Sequence, residues 1–158
     1  MTLQVAAVPA QARVDISIVP YGMLAHTLGQ LGKYLKISAD LTSGRSSVDD
    51  IVRLVMVGHY TLWVVFELQT KALIGFFATE VKQYPQRKLL NIQHCVVEPQ
   101  HLDEMEQVME DYSERFARDS GCSGIEFVGR PGWRRYSKKN GYASHAVVYQ
   151  RFFDAEEK

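Results

Sequence analysis

The segment best suited to binding a charged group is GRPGWRR, residues 129–135. Its two glycines and its proline predict a tight turn directly after a short apolar strand. The side chains that this turn would present are Arg130, Trp133, Arg134 and Arg135. Guanidinium groups bind phosphate or carboxylate through paired hydrogen bonds, so this segment, the Arg-Trp turn, predicts an anion or partner site. The alternative is that Trp133 packs while the arginines stay solvated or pair with acids such as Glu126.

Few other residue patterns indicate a catalytic or ligand-binding site. The sequence contains no P-loop, no dinucleotide glycine fingerprint, no nucleophile elbow and no HExxH motif. His94 and Cys95 are adjacent, and neighbouring residues of a strand point to opposite faces, which excludes them as a base and its nucleophile. The two cysteines, Cys95 and Cys122, lack metal-cluster spacing. We therefore expect free thiols in a reducing compartment and no bound metal.

Composition narrows the functional classes further. Eighteen basic residues balance eighteen acidic ones, which argues against a nucleic-acid or membrane partner. No apolar run approaches the roughly 20 residues of a membrane-spanning helix. The first residues lack the basic start of a signal peptide. These features predict a cytoplasmic protein.

The first half of the chain predicts a strand, two helices and a hairpin. Residues 14–19 alternate as in a strand, and leucines recur at helical spacing through residues 24–35. Ser47 and Asp50 resemble a capping box that begins the second helix. TLWVVFEL and ALIGFFATEV, separated by QTK, then predict a β-hairpin.

The second half predicts three more strands and a long helix. LLNIQHCVVE and SGIEFVG read as strands on either side of a helix at residues 101–119, and SHAVVYQRFF reads as a final strand. The predicted apolar stripe of the long helix is Leu102, Met105, Val108, Met109, Tyr112 and Phe116, with acidic residues on the other face. The predicted sheet core is Trp63, Val65, Phe77, Ile92 and Ile125. We predict an N-terminal arm at residues 1–13, one domain at 14–153 and a charged tail at 154–158.

This element order, together with WRRYSKKNGY before the last strand, resembles the Gcn5-related N-acetyltransferase (GNAT) superfamily. The resemblance implies an α/β (α+β) fold, a mixed, mostly antiparallel sheet of six to seven strands flanked by about four helices. LWVVFE, YPQRKLLNIQHC and GCSGIEFVGRPGW further resemble GNAT-like proteins of tailed bacteriophages, which implies a host-cytoplasm or virion setting.

The resemblance also implies where acetyl-coenzyme A would bind. The family holds the pyrophosphate on backbone amides of a glycine-containing loop between the fourth strand and the long helix. The corresponding backbone positions here are Cys95, Val96, Val97, Gln100, Leu102, Asp103, Glu104 and Met105. The loop has no glycine, and Glu98, Asp103, Glu104 and Glu106 place negative charge around it, which predicts weak binding of a diphosphate.

The catalytic positions that the resemblance implies are altered as well. The general acid of the family is a tyrosine four residues before the Gly141-Tyr142 pair, where this chain has Ser137. Tyr136 lies one residue earlier, rotated by about 100° on a helix, and packing is its alternative role. The candidate general bases are His94, Glu80 and Glu126, of which we prefer Glu126. Strand alternation places His94 on the same face as Leu90, Ile92 and Val96.

Three functions therefore remain open. The first is a degenerate, phage-encoded GNAT-like module with weak or no acyltransferase activity. It would bind a protein partner through its cleft or the Arg-Trp turn and could oligomerise through a sheet edge. The second is an active acyltransferase that moves acetyl from acetyl-coenzyme A to a small amine. The third, a nucleic-acid binder, would use the basic residues between Arg130 and Lys139.

Overall fold

A computed structural model describes residues 13–153 of the chain. The predicted charged tail and all but Arg13 of the predicted N-terminal arm lie outside these residues. The chain divides into two compact units, and the boundary lies between Val128 and Gly129. Each unit is described by itself below.

The first unit contains a single five-stranded sheet in which spatial order follows chain order. Its strands are β1 (Val14–Ile18), β2 (Thr61–Glu67), β3 (Leu73–Gln83), β4 (Lys88–Val97) and β5 (Gly124–Phe127). The first four strands pair antiparallel, and β5 joins β4 in parallel. The tight β2–β3 connection confirms the predicted hairpin.

Four helices belong to this unit, and a fifth belongs to the second unit. They are α1 (Leu24–Gln30), α2 (Gly32–Asp40), α3 (Val48–Met56), α4 (Leu102–Asp119) and α5 (Arg134–Lys139). The capping box is confirmed, because Ser47 Oγ accepts from the Asp50 amide and the Asp50 carboxylate accepts from the Ser47 amide. No helix within residues 13–153 has the length and apolar character needed to span a bilayer.

The sheet carries a different helical layer on each face. Helices α1 to α3 pack with Leu62 and Phe76 into one core cluster. On the opposite face Trp63 stacks on Phe77 at 5.0 Å and meets Phe116 of α4 edge-on at 5.3 Å. Met105, Met109 and Ala117 of α4 are also buried.

The predicted core is confirmed for the three central residues only. Trp63, Val65 and Phe77 are at most 3% exposed. Ile92 and Ile125 are half-buried, because β5 is a four-residue strand at the edge of the sheet. Glu106 is buried on α4, which corrects the prediction that acidic residues occupy only its outer face.

Two element predictions are wrong. The segment SHAVVYQRFF, residues 144–153, is not a strand, because it has neither helix nor strand structure. Its residues Val147, Tyr149 and Phe153 are strongly exposed. Apolar alternation alone does not form a strand, since its peptide groups need a paired neighbour. The sheet therefore has five strands in the described residues. The predicted helix at residues 24–35 is divided at Leu31, which gives five helices instead of four.

Candidate functional site

A β-bulge at Gln93 divides β4 into two parts. Ala78 of β3 pairs with His94, whereas the next residue, Thr79, pairs with Ile92, so Gln93 has no partner on β3. An extra residue in one strand reverses the side-chain alternation on its two sides. Even-numbered side chains before Gln93 therefore point to one face of the sheet, and even-numbered side chains after it point to the opposite face.

This bulge corrects the prediction for His94. Ile92 shares its face with Thr79, whose hydroxyl accepts from the Trp63 indole at 3.0 Å on the α4 side. His94 instead faces α2, where its Nδ1 lies 2.8 Å from Ser38 Oγ. His94 thus shares a face with Val96, as predicted, but not with Leu90 and Ile92.

The second part of β4 has an open outer edge. Strand β5 pairs with β4 only from Leu89 to Ile92, while β4 continues to Val97. No strand of the described residues pairs with residues 93–97 on that side. The predicted coenzyme positions Cys95, Val96 and Val97 lie on this stretch, called the open edge below.

The inner side of the open edge is held very close to β3. An ideal Cβ on Gly75 would lie 2.3 Å from the Val96 carbonyl oxygen and 2.7 Å from the Val97 Cα. Glycine is therefore required where β3 and β4 approach each other. A second bulge, at Ile74, accompanies this contact, and the Ile74 carbonyl accepts from the Glu98 amide at 2.9 Å.

The turn between β4 and α4 uses several of its own amides. Pro99–His101 forms a 3-10 turn, in which the His101 amide donates to Glu98 O and the Leu102 amide donates to Pro99 O. Met105, another predicted coenzyme position, is fully buried. The amides of His101 and Leu102 are thus already used by the turn itself.

Two of the carboxylates around this turn, Glu98 and Glu104, have partners that the sequence analysis did not predict. Glu98 accepts from Lys33 Nζ at 2.6 Å and from the Tyr34 hydroxyl at 2.7 Å, and these two hydrogen bonds hold the pKa of Glu98 below its usual range. Burial and the bond to Glu98 raise the pKa of Tyr34 to about 12. Glu104 lies 2.9 Å from His101 Nδ1.

A row of polar side chains crosses the sheet on the face of His94. Glu80, Asn91 and Glu126 are laterally paired on β3, β4 and β5. One Glu126 oxygen accepts from Asn91 Nδ2 at 3.1 Å and from the Tyr84 hydroxyl, and the latter bond raises the pKa of Tyr84. Gln93 Nε2 donates to Glu80 at 3.0 Å. Both carboxylates therefore receive bonds from neutral donors.

The second unit contains the predicted acid positions and the Arg-Trp turn. Tyr136 is buried against Trp133 and Tyr142, with ring centroids 5.4 and 6.0 Å away. Ser137 Oγ donates to the Trp133 carbonyl at 2.9 Å. These contacts favour the packing role for Tyr136. The arginines at 130, 134 and 135 are exposed and Trp133 is half-buried.

The site includes residues that sequence reasoning missed. Ser38, Tyr60, Tyr84 and Asn91 contact the predicted candidates, yet they lie on four separate segments. Only the pairing of strands and the packing of α2 bring them together. No group of three side chains able to hold a metal ion occurs within residues 13–153.

Comparisons with known proteins identify the fold. No protein-family profile and no curated protein matches the chain. A Trypanosoma brucei acetyltransferase superposes with a TM-score of 0.63 at 14% identity, covering 89% of this chain and 99% of that chain. Glucosamine-6-phosphate N-acetyltransferase from Arabidopsis thaliana gives 0.61 at 14% identity, covering 89% and 99%.

A third solved structure is a predicted acetyltransferase from Clostridium acetobutylicum with acetyl-CoA. Its TM-score is 0.63 at 12% identity, and the match covers 88% of this chain and 96% of that chain. Identities this low establish the fold alone. The chain therefore has the mixed α+β fold of the GNAT acetyltransferases.

Proposed function

We propose that this protein is a coenzyme A-dependent N-acyltransferase that binds the coenzyme's extended arm along the open edge and holds its pyrophosphate weakly. The observation that carries the proposal is the early end of β5, after which no strand of residues 13–153 pairs with the outer side of residues 93–97. An extended ligand that contains amide groups can pair with such an edge as an added strand does.

The residues present fit the pantetheine arm of acetyl-coenzyme A better than its pyrophosphate. The open edge offers backbone donors and acceptors from Gln93 to Val97 for the amides of the pantetheine arm. The turn after β4 offers a poorer phosphate site, because the amides of His101 and Leu102 already donate to backbone carbonyls. Bound coenzyme would supply the activated acyl group.

The carboxylates of the polar row suit a cationic acceptor. Glu126 and Glu80 receive hydrogen bonds from the neutral groups of Asn91, Tyr84 and Gln93, and neither carboxylate forms an ion pair within residues 13–153. An amine is protonated at neutral pH and is attracted to such a face. We therefore assign Glu126 and Glu80 to holding a small amine. The leaving thiolate also requires a proton.

Calorimetry with two ligands tests this proposal. Acetyl-coenzyme A should bind with a dissociation constant of order 0.1 mM or weaker, about −5.5 kcal/mol or less favourable. S-acetylpantetheine, which lacks the nucleotide and the pyrophosphate, should bind within about threefold of that value, a difference below 1 kcal/mol. Low-micromolar binding that disappears with the shorter ligand would show a strong phosphate site and contradict the assignment.

A second candidate function is a partner-binding module, favoured by the exposure of three arginines at the Arg-Trp turn. In this case a phosphate, a carboxylate or an acidic segment of a partner would bind there. Arg130→Ala should weaken that binding by at least about 1.5 kcal/mol and leave the melting temperature unchanged. Unfolding of the variant, with binding intact in its folded fraction, would make Arg130 a structural residue.

A further inference from the structure

His94 occupies a distinctive place in the proposed site. It is the first residue after the Gln93 bulge and lies beyond the last β4–β5 pair, so it stands where the open edge begins. Its side chain is only 8% exposed and faces α2. A titratable ring is therefore held at the junction of the open edge and the polar row.

The two ring nitrogens of His94 have different surroundings. Nδ1 lies 2.8 Å from Ser38 Oγ, whereas Nε2 makes no hydrogen bond with any residue of the described chain. Nε2 is not sealed inside the protein, because within residues 13–153 only Ser113 Oγ is wholly buried and unpaired. One nitrogen is thus fixed by the protein, and the other is available to a ligand or to solvent.

The surroundings keep His94 neutral near pH 7. Burial lowers the pKa of the imidazole. The groups that face it are Ser38 from α2 and the edge of Tyr60, whose ring centroid lies 5.7 Å away. Burial and the charge of Glu80 raise the pKa of Tyr60, so that phenol is also neutral near pH 7. A neutral imidazole can accept a proton at one nitrogen.

We propose that Nε2 of His94 is the atom that receives the proton of the acceptor amine, and that Ser38 positions the ring by accepting from Nδ1–H. The proposal rests on the acyl transfer proposed above. The bound ammonium group first releases one proton to solvent, which leaves a neutral amine. As the nitrogen of that amine bonds to the acyl carbon and the carbon–sulfur bond breaks, His94 takes a second proton from it. The imidazolium then returns that proton, through solvent, to the departing thiolate.

Glu126 is suited to a different task. One of its oxygens already accepts from both Asn91 and Tyr84. Its negative charge attracts the amine, while the orientation of its carboxylate is fixed by those two donors. Glu126 therefore binds the acceptor and His94 removes the proton. The two roles make different kinetic predictions.

The first test uses the unmodified protein without any ligand. Nitrogen-15 NMR of the imidazoles distinguishes the two neutral tautomers and gives each pKa, and loss of one resonance set in His94→Gln assigns His94 among the five histidines. The proposal predicts the Nδ1–H tautomer and a pKa below the usual value near 6.5. Ser38→Ala should mix the tautomers. An Nε2–H tautomer in the unmodified protein would overturn the proposal.

The second test compares three variants in acyl transfer from acetyl-coenzyme A to a diamine. His94→Gln should lower kcat/KM by about 10²–10⁴-fold and abolish the acid limb of its pH profile. Glu126→Gln should raise KM for the amine and retain that limb. His59→Gln, a change at an exposed histidine, is the matched control and should change neither.

The outcomes separate the two proposals. If Glu126→Gln removes the acid limb while His94→Gln retains it, Glu126 is the base and the His94 assignment is wrong. If the unmodified protein acylates no amine, the proposed function fails. The tautomer measurement still tests the His94 geometry in that case, because it needs no coenzyme and no activity.

Discussion

At the scale of single residues, Gln93 has the largest effect on the site. Strict alternation along LLNIQHCVV places His94 with Leu90 and Ile92, and the bulge moves it to the opposite face, against Ser38. Alternation is a property of one strand, whereas a bulge depends on how two strands pair. The candidate residues were therefore predictable by type, but their common face was not.

The stacked core residue Phe77 allows a direct test of the sheet. Phe77 is fully buried against Trp63, so Phe77→Ala should lower the free energy of unfolding by about 3–5 kcal/mol. Urea denaturation measures the change. Tyr21→Ala, at a side chain that is 75% exposed, is the control and should stay within about 0.5 kcal/mol. Equal effects of the two changes would contradict the core assignment.

Tyr34 gives a prediction about alkaline pH. Its pKa is raised to about 12, so the folded state favours the protonated phenol. The stabilisation from its bond to Glu98 is complete below the ordinary tyrosine pKa near 10 and is lost as the pH rises through about 12. Ultraviolet titration of the tyrosines should show a transition near pH 12 that is absent in Tyr34→Phe. Identical curves for the two proteins would refute the Tyr34–Glu98 contact.

At the scale of elements, sequence patterns that involve only neighbouring residues predicted two helices and a hairpin correctly. The capping box of α3, the β2–β3 hairpin and the long helix α4 all form as the sequence indicates. The final strand fails because SHAVVYQRFF carries the periodicity of a strand but has no paired neighbour in the described residues. Pairing is a long-range property, and no local pattern reports it.

Gly75 tests the geometry of the open edge. Gly75→Ala would place a Cβ against backbone atoms of Val96 and Val97, which cannot move aside as a flexible side chain can. We expect a loss of about 1–3 kcal/mol of unfolding free energy, from strain of the kind that overpacking causes. Binding of S-acetylpantetheine should also weaken. Gly22→Ala is the matched control, because an ideal Cβ there meets no atom within 4 Å apart from its own neighbours along the chain. If Gly75→Ala behaved like this control, the close approach of β3 and β4 would be wrong.

At the scale of the whole molecule, element order predicted the mixed α+β fold but not the number of strands and helices. The order of strands and helices indicated a GNAT-like sheet, and acetyltransferase structures superpose on 88–89% of the chain at 12–14% identity. The charge balance around the turn after β4 was harder to predict, because Lys33 and Tyr34, the partners of Glu98, come from a distant part of the chain. The phage origin, the virion setting and the cytoplasmic location stay predictions.

The most direct test of the central claim is a backbone amide NMR titration with acetyl-coenzyme A. The account predicts that the largest shift changes fall on the amides of residues 93–98, along the open edge, with smaller changes at the turn after β4. A titration in which the open edge stays unchanged, while the Arg-Trp turn or no residue responds, would contradict the account.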